Sequence, residues 1–411
     1  MSILNPVFST ENVSYRDGKR YAWLFSLLVP AVLGCGPLFY WLTGSVAAMW
    51  IPAVGIYAVI PLLDMVLGED LNNPPEEVVP LLEADAYYKW ATYALVPVLW
   101  IAFLANAYFV GTQDLPWTAV LAIAVNIGIL CGFAINLGHE LGHKKSKVDR
   151  NLATSVLAMG AYGHFAIDHN RGHHRHVATP EDCASSRMGE TLYAFAVREL
   201  PGAFRRAWRL ESGRLERHDK SVWSFDNEIL RAGVITVGVS VGLSIAFGPI
   251  MIPYLLATYF IGAFHLTLAN YIEHYGLLRQ KRANGLYERC QPHHSWNSNH
   301  IGSNWALYHL QRHSDHHANP GRRYQSLRHF DDLPTLPNGY FGMFLVALVP
   351  PLWFRVMDPR VLAHAERDPK RIHFDPKRRE ALCERYGLAD GGTTAISSLT
   401  YEDGRSQIQR A

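Results

Sequence analysis

The chain has 411 residues, of which 49% are hydrophobic and 18% charged, and its 38 Lys and Arg nearly balance its 36 Asp and Glu for a net charge of +2. No nucleic-acid partner is expected. The five cysteines (Cys35, Cys131, Cys183, Cys290 and Cys383) form no Cys-x-x-Cys pair and no even framework, which argues against a thiolate metal site and structural disulfides.

The distribution of charge is more informative than its total. No Lys or Arg occurs between Arg20 and Lys89, between Lys89 and Lys144, or between Arg231 and Arg279, and each gap holds apolar runs long enough to cross a bilayer. This pattern predicts an integral membrane protein. The first residues, MSILNPVFSTENVSYRDGKR, lack the apolar core and cleavage site of a signal peptide, so the first helix is expected to act as its own insertion signal. Six spans follow in order, at about 22–43, 45–67, 87–110, 117–138, 232–248 and 250–272. Prolines 30, 37, 52, 61 and 97 fall inside them and predict kinks. The turns within the three hairpins carry no Lys or Arg, whereas the N-terminal tail, the segment 144–231 and the region after 279 are basic. The positive-inside rule therefore puts both termini and the segments 144–231 and 273–390 in the cytoplasm of a cell whose inner membrane holds the chain. The connection 68–88 is acidic (Glu69, Asp70, Glu76, Glu77), but an even helix count assigns it to the same side. Phe341 to Trp353 is apolar, interrupted by Pro350-Pro351 and too short to span, so it reads as an interfacial or re-entrant helix. Residues 391–411 read as a disordered tail. The expected fold is all-α, a single domain with six transmembrane helices and a helical cytoplasmic cap.

The cap carries the chemistry. In Asn136 to Lys145, NLGHELGHKK, His139 and His143 stand four residues apart and share a helix face, while Lys144 and Lys145 hold that point at the membrane surface. His169, His173 and His174 follow in DHNRGHH, His274 in NYIEHYG, and His313, His316 and His317 in QRHSDHH. A lone helical histidine is usually a satisfied polar residue, but nine in four clusters point to metal. Imidazole suits zinc, copper, iron and nickel alike. Nine ligands exceed one zinc tetrahedron, so two metals with five or six positions each, some open to oxygen, fit better. Glu140, Asp168, Glu273 and Asp315 are assigned to orient the imidazoles through their free N–H groups. His139 to His143 also matches the His-Glu-x-x-His signature of zinc proteases, a reading that leaves seven clustered histidines unexplained.

The order HELGHK, HNRGHH followed by VATPEDCASSRMGE, NYIEHYGLLRQ and LQRHSDHH resembles the integral-membrane di-iron alkane monooxygenases. The resemblance extends to GEDLNNPPEE (Gly68 to Glu77), SVWSFDNEIL (Ser221 to Leu230) and PHHSWNSNH (Pro292 to His300). It implies that the nine histidines hold two irons, that O2 is the co-substrate, and that the terminal carbon of medium-chain n-alkanes drawn from the bilayer is hydroxylated. It also implies electrons from NAD(P)H through a reductase and rubredoxin, both separate proteins. Asp168 departs from the family, where Glu is expected. The fatty-acid desaturases and related hydroxylases share the histidine-box logic and are the runner-up.

Three lesser features complete the reading. Arg198, Arg205, Arg206, Arg209, Arg214, Arg217 and Lys220 form a basic run that suits either an acidic electron carrier or anionic lipid. His293, His294, His300 and His309 are candidates for support or carrier contacts, and His265 reads as a buried polar residue. Helix 45–67 is a candidate tunnel wall, with bulk at Trp50, Ile56, Tyr57 and Ile60 and a gap at Gly55.

Overall fold

The first expected span is broken. In a computed structural model that describes residues 5–388, helix α1 (Ala22–Leu33) meets α2 (Gly36–Thr43) at 55°. Pro37 starts α2, and Asn106 of the facing helix donates to the Gly34 carbonyl (2.9 Å), supplying a partner where the ladder stops. A Cβ on Gly34 would come within 2.9 Å of the Ala102 side chain, so the break also lets the two backbones approach closely.

Among the described residues five unbroken helices are long and apolar enough to cross a membrane: α3 (Val46–Leu67), α4 (Ala86–Thr112), α5 (Trp117–Gly142), α6 (Glu228–Phe247) and α7 (Met251–His274). Of the six spans expected from the sequence, five are unbroken helices among the described residues and the first, where Pro30 and Pro37 predict kinks, is a bent pair. A second bent pair, α8 (Tyr340–Ala347) and α9 (Pro350–His364), turns through 120° at the Pro350-Pro351 step. By length and composition this pair is either a broken span or a re-entrant loop. Pro61 and Pro97, by contrast, leave their helices unbroken. The first turn of α3 is a tight 3₁₀ stretch, and Asn126 of α5 bridges it by donating to Met49 O (2.8 Å) and accepting from Ala53 N (3.0 Å).

Small residues set the central contact. Gly128, Gly132 and Gly262 lie where a Cβ would collide with Ile261, His265 and Cys131, so α5 and α7 pack backbone to backbone, as small-residue stripes allow in lipid. Most of α5 is buried as a result, whereas α6 turns Val234, Val237, Val241 and Ile245 outward.

One end of the bundle gathers the polar segments. Lys19 pairs with Asp70 (2.6 Å) and Arg20 with Asp85 (2.5 Å), which ties the N-terminal tail to the 68–85 connection. Buried Arg312 then donates to Asp70 O and Leu327 O (2.7 Å each), joining that connection to the late part of the chain. This is also the end where α5 and α7 finish in histidines. Among the described residues the only strand pairing longer than a single bridge is a two-residue hairpin, Phe8–Ser9 with Ser14–Tyr15.

Candidate metal centre

Four stretches of backbone deliver the nine histidines to this end. Helix α5 runs four residues past its expected end, so His139 occupies its last turn and His143 caps it. Residues 165–176 form one helical stretch whose middle, Asp168–His173, is a π-helix, a distortion found mostly at functional sites. Asn170 anchors this stretch to α5 by donating to Gly142 O (3.1 Å). Helix α7 ends at His274, and a short helix, His313–Ala318, begins directly after the anchored Arg312.

The histidines form two groups. His139, His143, His169, His174 and His316 have ligand nitrogens within 4.8 Å of one another, and so do His173, His274, His313 and His317. Within the first group Nε2 of His316 lies 2.8 Å from Nε2 of His139 and 3.2 Å from that of His174, which is 3.0 Å from Nε2 of His169. Within the second, Nε2 of His313 and His317 are 2.9 Å apart. Two nitrogens bound at about 2.1 Å to one ion, at right angles, would be about 3.0 Å apart. The groups touch each other, since the rings of His174 and His317 have centroids 4.4 Å apart.

Unpartnered atoms support the same fit. Nε2 of His143, His173 and His274 are buried with no hydrogen-bond partner, a state that native structures avoid unless an ion satisfies the group. Burial, reinforced by neighbouring imidazoles, holds the pKa of His169, His174, His313, His316 and His317 well below the ordinary 6.5. They therefore present lone pairs near neutral pH.

The supporting shell differs from the sequence expectation. Glu140 pairs with Lys144 (3.1 Å), Asp168 with Arg206 (2.6 Å) and Asp315 with Arg322 (3.1 Å), so these three carboxylates face cations and accept no bond from a clustered imidazole. The cations were available nearby, and a buried carboxylate gains more from a full charge than from an imidazole N–H. Glu273 alone approaches a ring, with Oε2 3.3 Å from Nε2 of His313, the nitrogen that faces His317. Asp182, within the VATPEDCASSRMGE stretch, was not singled out. Its Oδ2 accepts from Nδ1 of His173 at 2.8 Å, leaving Nε2 for an ion, while Oδ1 binds Arg206 at 2.6 Å. Burial alone would raise the Asp182 pKa, but His173 and Arg206 outweigh it and keep the carboxyl well below its usual range. The carbonyl of His294 faces Nδ1 of His274 (3.3 Å) in a similar way. No spacing rule reveals a carbonyl partner, and Asp182 lies nine residues from His173, across a turn.

An apolar cavity between α5 and α7 leads to both groups. Ile129, Phe133, Leu266, Phe341 and Phe344 line it, and His139, His169 and His313 stand at its histidine end. Ile56 and Ile60 do not line it, so the expected wall on α3 is replaced by α8. Tyr57 stands behind the wall, with its hydroxyl 2.5 Å from Nε2 of His265 and its ring against Phe341, both of which line the cavity. His300 and His309 bond Ser298 and the Tyr324 carbonyl, away from both groups, and His293 packs against His294. A zinc-protease arrangement fits poorly, because five histidines converge where His139 and His143 meet and Glu140 is held by Lys144.

Comparison with known proteins agrees with this geometry. The fatty acid desaturase family model matches residues 115–347, which include all nine histidines. Alkane 1-monooxygenase from Ectopseudomonas oleovorans is 52% identical over 394 residues, covering 93% of this chain and 96% of that protein. This chain belongs to the alkane 1-monooxygenase family. Alkane 1-monooxygenase 1 of Alcanivorax borkumensis is likewise 52% identical, over 93% of this chain and 95% of its own. The Acinetobacter baylyi alkane 1-monooxygenase is 42% identical over 91% and 92%. Identity that spans nearly the full length covers the membrane helices and the histidine end together. It is a multi-pass membrane protein with a histidine-rich metal site.

Proposed function

We propose that the protein is a non-haem di-iron monooxygenase that converts medium-chain n-alkanes to 1-alkanols. The observation that carries this is the convergence of nine histidines on two centres at one end of an apolar cavity. The groups of five and four histidines would each hold one iron, through Nε2 where Nδ1 has an outer partner. Two irons bound there would supply the activation of O2 and the oxidation of the C–H bond.

The chain's own residues supply the rest. An alkane offers no polar handle, so selection must come from shape, and Phe133, Leu266 and Phe341 give a dry channel that presents the chain end-first to His139, His169 and His313. Asp182 and the His294 carbonyl fix the rings of His173 and His274. Electrons would come from rubredoxin and its reductase as separate proteins. The basic segments at the histidine end support a cytoplasmic orientation in the inner membrane.

Metal analysis and product analysis of the purified chain test the reading. Supplied with n-octane, O2, NADH, rubredoxin and reductase, it should yield 1-octanol, contain two irons, and give nothing with NADH alone. The desaturase family match favours one alternative, a double bond placed in an acyl chain. That product, or a single zinc, would overturn the proposal.

A further inference from the structure

The basic run predicted from sequence lies mostly on one amphipathic helix, α10 (Leu192–Glu216), with Arg217 and Lys220 just past its end, and the structure divides it. Arg198 pairs with Glu190, Arg206 with Asp168 and Asp182, Arg214 with Glu211, and Lys220 with Asp226. Those four cations are already paired within the protein. Arg205 and Arg209 are exposed, one helical turn apart, and no ion pair or hydrogen bond engages either among the described residues. They flank Phe204 and Trp208, and the four side chains line an open surface groove.

The depth of this helix decides what meets the groove. Its buried face rests on α7, where Thr267 donates to Glu199 (2.7 Å), and at its edge the half-exposed Tyr193 stacks on Phe264. Phe264 precedes His274 by ten residues, about 15 Å along the helix, so α10 starts well inside the span and climbs toward its end. Farther along, Phe204 packs on His164, and neighbouring Gly163 lies against Ala232 near the start of α6. Apart from Arg205 and Arg209, the outward face is mainly apolar up to Trp208: Val197 (78% exposed) and Phe204, then Trp208 against Trp223 (78% exposed), with Phe225 beyond.

We infer that α10 lies in the water–lipid boundary and that Arg205 and Arg209 form a binding site for the phosphate of an anionic phospholipid, with Phe204 and Trp208 against its glycerol and upper acyl carbons. Aromatic residues belong at that depth, and guanidinium groups bind phosphate oxygens through paired N–H donors. A soluble acidic carrier is disfavoured, since docking here would require it to displace lipid from exposed tryptophan and phenylalanine.

The test uses the full chain in nanodiscs of phosphatidylcholine with or without phosphatidylglycerol, comparing wild type with the double variant Arg205→Gln/Arg209→Gln. Phosphatidylglycerol should raise the wild-type Tm and remain bound through native mass spectrometry, and the double variant should lose both effects while its KM for the electron carrier stays unchanged. Equal phosphatidylglycerol effects in the two proteins would overturn the site, and a raised carrier KM with an intact lipid effect would assign the face to the carrier. The Tm and lipid-retention readouts do not depend on the alkane reaction, so the lipid site stands or falls apart from the proposed function.

Discussion

The two histidine groups are built differently. In the group of five, no carboxylate or carbonyl is hydrogen-bonded to any of the imidazoles among the described residues, and the rings are aimed by the ends of α5, the π-helical stretch and the His313–Ala318 helix alone. In the group of four, Asp182 and the His294 carbonyl hold two rings from outside, and Glu273 approaches a third. Local backbone geometry suffices where a ligand pair sits on one helix turn. In the group of four, His173 and His274 each come singly from their segments, and an outer hydrogen bond fixes the orientation of each ring.

Removing a ligand should have the largest effect and should show whether the groups are separable. His316→Ala and His317→Ala are each expected to lower metal content by one ion of two and to reduce hydroxylation by more than the ~100-fold typical of an outer-shell change. Metal analysis of the two variants checks this, and loss of both ions from either would show one cooperative centre in place of two.

Arg206 comes next, because it links Asp168 to Asp182 behind the group of four. Arg206→Gln leaves two buried carboxylates without their cation and should cost about 3–5 kcal/mol of stability. Arg205→Gln, on the exposed side of the same helix, should stay within about 0.5 kcal/mol. Equal thermal shifts would mean that the buried pairs contribute nothing.

Glu199 supplies a pH-dependent version of the same test. Burial, opposed by bonds from Thr267 and Asn270, pushes its pKa from 4.5 up to about 7. The folded state therefore binds a proton that the unfolded state has released, so its stabilising contribution is present below about 4.5 and is lost as pH rises through about 7. Glu199→Gln should accordingly gain relative stability from pH 5 to pH 8, by at most about 3 kcal/mol. A wild-type minus variant difference that is flat across that range would refute the shift.

Asp182→Asn should weaken metal retention in the group of four by about 10–100-fold and leave the group of five intact. Titration with a chelator would resolve the two ions. The smallest effect is expected in the cavity, where Phe344→Ala should extend the range of alkanes accepted, with each added methylene worth about 0.8 kcal/mol. Ile60→Ala, off the cavity wall, should leave the product profile from hexane to hexadecane unchanged. A shift with Ile60→Ala would return the chain-length limit to α3.

The sequence by itself determined the membrane character, since apolar length against bilayer thickness needs no tertiary information. It also singled out the histidines that gather, because helical spacing puts His139 beside His143 and His313 beside His317 whatever the rest of the chain does. The tertiary structure decided everything that depends on segments meeting. It divided the nine histidines into five and four and placed Asp182 behind His173. It turned Glu140, Asp168 and Asp315 toward cations, and it moved the cavity wall from α3 to α8. It also broke the first span at Gly34, where Asn106 from another helix supplies the partner that makes the break affordable. Periodicity reports which residues share a face of one element. Which element that face meets is set by packing between helices far apart in the chain, and sequence spacing carries no record of it.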